Sequence, residues 1–140
     1  MKKKLGCVLL IDDDEPTNYY NSLIIEETGC TDYVEAVQSG QEALEYLTNS
    51  EPDSENIHVF PCPDLTFLDI NMPVMDGWEF LDKYRQLKKE QRGKVIIMLT
   101  AALNAEDNIR ADKIPEISGF AIKPLTAELI DKVLIEHFDW

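Results

Sequence analysis

Five short, mostly apolar runs, each followed by a stretch patterned as an amphipathic helix, constrain this 140-residue chain more than any other feature. The runs are Cys7–Ile11, Asp32–Val37, Leu65–Ile70, Val95–Leu99 and Gly119–Ile122. Unbroken apolar runs of this length suit strands covered on both faces. Strands joined through helices lie parallel with right-handed crossovers, so the pattern predicts an α/β domain with a doubly wound, five-stranded parallel sheet and helices on both faces. No internal repeat or low-complexity linker interrupts it, and residues 1–140 read as a single domain with no output domain after it.

The helices carry their own start and stop signals. Pro16 suits a first turn, and the helix it opens runs to about Thr28 with Gly29 as its stop. Ser39-Gly40-Gln41-Glu42 fits a capping box opening a second helix, with Ala43, Leu44 and Leu47 on one face. Trp78, Phe80, Leu81, Tyr84 and Leu87 recur at helical spacing up to Lys89, and Gly93 closes the connection. The stretch Asn104–Ile114 has few strongly apolar residues and is the least anchored helix; the last, about Thr126–Phe138, carries Leu129, Ile130, Val133, Leu134 and Phe138 inward. Asn49–Pro63, polar and proline-containing, reads as a surface loop longer than most in compact domains.

Charge narrows the function. Thirteen basic against 27 acidic side chains give a net charge of −14, which repels nucleic acid and anionic lipid. Hydrophobic content of 44% with 29% charged residues is that of an ordinary globular protein, and no apolar run approaches the ~20 residues of a membrane span. Met1-Lys2-Lys3-Lys4 opens like a signal peptide, but the apolar run Val8–Ile11 is too short and ends in acids, so a cytoplasmic protein is expected. Cys7, Cys30 and Cys62 lack C-x-x-C spacing and read as free thiols; with His58 and His137 they are too scattered for a zinc site.

Polar residues gather where strands end. Asp12 and Asp13 follow the first strand, Asp69 ends the third, Thr100 follows the fourth and Lys123 the fifth. In a parallel sheet these ends share one edge, the edge where ligands bind. Three crowded carboxylates need a cation, and Mg²⁺ suits an all-oxygen donor set. A hydroxyl and a lysine completing the ring suit a phosphoryl group. Asp69, at the centre, is the best-placed carboxylate to act as nucleophile. Each residue also has a plainer reading: acids at a helix N-terminus for Asp12 and Asp13, and more so for Asp14 and Glu15; a strand-end hydroxyl for Thr100; a solvated amine for Lys123. Asp76-Gly77 reads as a turn and helix cap without chemistry. Convergence of the set favours the chemical reading.

Ile11-Asp12-Asp13, Leu68-Asp69-Ile70-Asn71-Met72-Pro73 with Met75-Asp76-Gly77, Leu99-Thr100-Ala101 and Phe120-Ala121-Ile122-Lys123-Pro124 together resemble the receiver domains of two-component response regulators, over essentially the whole chain. The resemblance implies a flavodoxin-like sheet of strand order 2-1-3-4-5 and a phosphorelay role: phosphorylation of Asp69 by a sensor histidine kinase or phosphotransfer protein. It implies Mg²⁺, or Mn²⁺, on Asp13, Asp69 and the backbone carbonyl of Asn71, with Asp12 acting through water. Lys123 would pair with a phosphoryl oxygen, and the Lys123-Pro124 bond would be cis. Thr100 would move to the phosphoryl group and draw Phe120 inward, reshaping the face of the fourth helix, fifth strand and fifth helix for a separate target protein or a homodimer. Slow Mg²⁺-dependent self-dephosphorylation would follow, without the domain being an enzyme in the ordinary sense.

Two features depart from the family pattern: Phe120 stands where many relatives have tyrosine, and the Asn49–Pro63 loop is longer than usual and resembles that of stand-alone receivers paired with phytochrome-type kinases. Other classes fit less well. A haloacid-dehalogenase-type phosphohydrolase wants a second Asp at the position of Asn71, and a flavin module wants hydroxyl and glycine donors where Asp12-Asp13-Asp14-Glu15 stand. A receiver-like scaffold that is never phosphorylated would not need every chemical position filled.

Overall fold

The computed structural model describes residues 4–51, 60–101 and 104–140. Met1, Lys2 and Lys3 of the signal-like start, the middle of the Asn49–Pro63 stretch with His58, and Ala102 lie outside them. Strands β1 (Val8–Ile11), β2 (Val34–Val37), β3 (Leu65–Asp69), β4 (Val95–Thr100) and β5 (Gly119–Ile122) form one parallel sheet in the order 2-1-3-4-5. Helices α1 (Glu15–Thr28), α2 (Gly40–Thr48), α3 (Gly77–Tyr84), α4 (Ala105–Asp112) and α5 (Ala127–Phe138) alternate with the strands.

Strand alternation builds two cores. Leu9, Ile11, Leu68, Ile96 and Met98 point to one face, where Ala43 and Leu47 of α2, Phe80 and Leu81 of α3 and Ala111 of α4 cover them. Val8, Leu10, Phe67, Ile97 and Leu99 point to the other, beneath Ile25 of α1 and Ile130, Val133 and Leu134 of α5. Both faces of β1, β3 and β4 are therefore dry, which is why these strands read as unbroken apolar runs.

Caps fix the helix ends. The Asp14 side chain accepts from Thr17 N, Gly29 takes φ +70° after α1, and Thr126 Oγ1 accepts from Leu129 N. Ser39 Oγ accepts from Glu42 N at 3.1 Å, but the Glu42 carboxylate takes the N–H of Gln38, not that of Ser39, so the expected box closes one residue early. Element boundaries also differ from expectation, as where β2 begins at Val34 rather than Asp32. Helix α3 stops at Tyr84 rather than near Lys89, and a 3-10 turn over Lys89–Gln91 follows. The turn is held by Gln91, whose Oε1 accepts from Lys88 N and whose Nε2 donates to Thr48 O, while the Tyr84 hydroxyl donates to Gly93 O. Within the stretch expected to be a loop, Ser50–Glu51 pairs in parallel with Phe60–Pro61. Ala111 is the one buried residue of α4, in keeping with its expected weak anchoring.

Register brings the strand ends level. Ile11 lies opposite Leu68, Asp69 opposite Leu99, and Thr100 opposite Ile122. Asp12, Asp69, Thr100 and Lys123 thus succeed one another along a single rim, although 111 residues separate the first from the last.

Candidate functional site

Asp12 follows the last residue of β1 and is still tied to the sheet: its N–H donates to Val37 O at 3.2 Å. Asn18, one turn into α1, sends Nδ2 to the carbonyls of both Asp12 (2.9 Å) and Val37 (3.1 Å). That side chain ties the ends of β1 and β2 to the helix and fixes where the Asp12-Asp13 corner sits. Asp14 N donates to Asp12 Oδ1 at 3.0 Å, tightening the same corner. Sequence reading missed Asn18, because an amide near a helix start is indistinguishable from surface until the sheet is built beneath it.

Asp69 is placed by β3 and by close approach of the following loop. Ile70 N donates to Leu99 O, and Gly77 N returns to Ile70 O at 2.8 Å. A Cβ on Gly77 would fall 2.9 Å from Asp69 O and 3.0 Å from Ile70 Cα, so the start of α3 packs against the acid's own backbone only because residue 77 has no side chain. Asp76, as expected, is the helix cap, accepting from Glu79 N. Between them Val74 holds φ +68° in a three-residue turn closed by Met75 N to Pro73 O, a strained conformation for a β-branched residue.

Lys123 bridges the acids. Its Nζ lies 2.7 Å from Asp12 Oδ2 and 3.1 Å from Asp69 Oδ1. Its backbone N–H donates to Thr100 O at 2.7 Å, and the Lys123-Pro124 bond is cis. Both carboxylates are 5% exposed, whereas Asp13 is open to solvent. Carboxylate oxygens of Asp12, Asp13 and Asp69 all lie within 4.8 Å of one another. Thr100 is buried at the same rim, and Asn71 N donates to Asp69 Oδ1 at 3.4 Å. Phe120 is half-buried against the core on the α2, α3 and α4 side. Every residue expected at the site is at this rim or, for Phe120, on the strand leading to it.

The electrostatics follow from burial. Desolvation, then the charge of Asp12, pushes the Asp69 carboxyl above its ordinary range, against the pull of Lys123. Burial works to lower Lys123, but its hydrogen bond to Asp12 and the charges of Asp69 and Asp12 outweigh it, and the ammonium is held above its usual value. Asp14 is lowered by the Thr17 hydroxyl and N–H that it accepts, as suits a helix cap. Three carboxylates and one ammonium leave two negative charges in the notch, which a divalent cation neutralises. The donor set, hard oxygens with one acid open to solvent, fits an ion that keeps part of its water shell.

A model of the response regulator receiver domain matches residues 8–135. The chain belongs to that family. Among solved structures, a two-component response regulator from Cytophaga hutchinsonii is 27% identical and superposes with a TM-score of 0.84, covering 99% of this chain and 100% of that one. The receiver is also similar to the chemotaxis protein CheY4 of Vibrio cholerae, at 26% identity and a TM-score of 0.75 over 96% of this chain and 99% of that one. Hybrid signal transduction histidine kinase L of Dictyostelium discoideum is 31% identical over 96% of this receiver, which spans 7% of that kinase's length. The flavodoxin-like order expected from the resemblance is the order observed, and the domain is a signalling domain of two-component systems. Among the described residues no helix is long and apolar enough to cross a membrane, and Cys7, Cys30 and Cys62 are free thiols.

Proposed function

We propose that this receiver accepts a phosphoryl group on Asp69 from a phosphohistidine and passes the signal to a partner protein through α4, β5 and α5. The observation that carries this reading is the Lys123 ammonium, 3.1 Å from a buried Asp69 whose neighbours Asp12 and Asp13 leave room for a divalent cation. In the transfer, an Asp69 oxygen forms a bond to phosphorus as the P–N bond breaks, and the leaving imidazole keeps the electron pair and takes a proton. Because Oδ1 already accepts from Lys123 and Asn71, Oδ2 is the oxygen better placed to react.

Asp13, Asp69 and the Asn71 carbonyl would hold Mg²⁺, with Asp12 reaching it through water; when bound, the ion offsets the charge of the phosphoryl oxygens. Lys123, freed from its bridge as Asp69 loses its own charge, pairs with a phosphoryl oxygen. Thr100 donates its hydroxyl to another, and the space it leaves accepts Phe120. Attack of water on phosphorus returns the carboxylate and inorganic phosphate, which makes the phosphorylated state self-limiting.

Two exposed apolar surfaces support the partners. A cleft of about 290 Å³ lined by Pro16, Tyr20, Asn21, Lys123 and Leu125 opens beside the site, and Tyr19, Tyr20 and Leu23 stand exposed on α1, a surface suited to the phosphodonor protein. Ile109, Ile122 and Ile135 are exposed on α4, β5 and α5 respectively, which suits a target protein or a second receiver.

Incubation with acetyl phosphate and Mg²⁺ followed by intact mass tests the proposal. One added phosphoryl group is expected, prevented by EDTA and abolished in Asp69→Asn. Lys123→Ala should keep Mg²⁺ binding and lose the response of α4. Unchanged labelling of Asp69→Asn would end the reading.

A further inference from the structure

Helix α1 buries Asn18, Asn21 and Ile25, where α5, on the same face of the sheet, buries Ile130, Val133 and Leu134. A side-chain amide turned inward removes little apolar surface from water and is destabilising unless its hydrogen bonds are made. Asn18 is 4% exposed, and its bonds are half made: Nδ2 serves two carbonyls, whereas Oδ1 finds no donor among the described residues. A buried acceptor left unpaired costs stability, so an apolar side chain of similar size would suit the packing better.

Anchoring of the helix does not account for the amide. The N-terminus of α1 is capped by Asp14, and Asp12 N already donates to Val37 O, so the ends of β1 and β2 are joined without it. What Asn18 adds is a donor to Asp12 O, 2.9 Å away. That carbonyl belongs to the peptide plane shared by residues 12 and 13. The plane is rigid, so holding its oxygen fixes the direction in which Asp13 leaves the strand. Lys123 holds the carboxylates of Asp12 and Asp69. The Asp13 carboxylate is exposed and forms no hydrogen bond or ion pair among the described residues, so its place beside the other two depends on its backbone. We infer that Asn18 is a positioning residue for the divalent cation: its amide is kept to aim Asp13 at the notch, not to stabilise the fold. The inference rests on the cation site proposed above and adds to it a residue that acts through the Asp12 backbone.

The test is calorimetric titration with Mg²⁺ of wild type, Asn18→Leu and Ile25→Val, the last a purely apolar lesion on the same buried stripe. Asn18→Leu is expected to bind Mg²⁺ about tenfold more weakly, the scale of loss when a group that orients a metal ligand is removed. Its melting temperature is expected to stay within about 4 °C of wild type. Ile25→Val is expected to bind Mg²⁺ as wild type does. A second measurement needs no metal: ¹⁵N relaxation of the EDTA-treated proteins, in which the Asp13 and Asp14 amides become more mobile in Asn18→Leu and not in Ile25→Val. Asn18→Ala gives the same pattern if leucine is not accommodated. Unchanged affinity in both Asn18 variants, an equal loss in Ile25→Val, or an Asp13 amide as rigid as in wild type would overturn the inference. So would a melting temperature lowered by more than about 10 °C, which would make Asn18 a clamp of the fold. Wild type that binds no Mg²⁺ would overturn the proposed function as well, whereas wild-type binding matched by the Asn18 variants overturns this inference alone.

Discussion

At the scale of single residues, the notch is costly before it is useful. In the unfolded chain Asp69 titrates near the ordinary carboxylate value; in the fold, burial and Asp12 hold it higher. Between those values the folded state binds a proton that the unfolded state lacks. The contribution of Asp69 to stability is thus favourable at low pH and lost as pH rises through the folded value. Asp69→Asn is therefore expected to raise the melting temperature by roughly a few degrees at neutral pH, a gain that shrinks below pH of about 4. Thermal unfolding of both proteins at the two pH values checks this, and a variant less stable than wild type at neutral pH would contradict it. Val74 is a second liability. It is fully exposed, so nothing is gained from its apolar side chain, yet it sits at φ +68°. Glycine has no Cβ to clash at positive φ, and Val74→Gly is expected to stabilise by about 1 kcal/mol in denaturant unfolding. A destabilised variant would mean that the turn is held for packing.

At the scale of elements, α4 is the loosest helix. Beside the burial of Ala111, it is tied to the body by the Arg110 guanidinium, 4.6 Å from the centroid of the Trp78 ring on α3. Such a contact contributes about 0.5–1 kcal/mol at an exposed site, small enough for phosphorylation to overcome. With Trp140→Phe isolating the indole of Trp78, acetyl phosphate and Mg²⁺ should change its emission, and Arg110→Ala should reduce that change. Identical emission before and after phosphorylation would leave α4 out of the switch. The weakness of α4 was legible because its stretch offers few apolar residues to bury. The end of α3 was not, because Leu87 continues the helical spacing while lying in the link between α3 and the 3-10 turn that Gln91 holds. The Ser50–Glu51 ladder escaped notice for a related reason: two-residue pairing leaves no periodicity to read. Strands β1, β3 and β4 were plain, since burial on both faces writes itself as unbroken apolar sequence.

At the scale of the molecule, the parallel register is what makes four distant stretches into one site, and it could be read as soon as four of the five strands were seen to end in polar residues. What the strand ends left out was Asn18, whose role exists only once α1 lies across β1 and β2. The central claim belongs to the acidic edge around Asp69: the acid at position 69 is the one that takes the phosphoryl group. Treatment with acetyl phosphate and Mg²⁺, reduction of the acyl phosphate with borohydride and peptide mass mapping test it most directly. Conversion of residue 69 to homoserine, with Asp12 and Asp13 untouched, is the predicted result; reduction at Asp12 or Asp13, or at no acid of the rim, would contradict it.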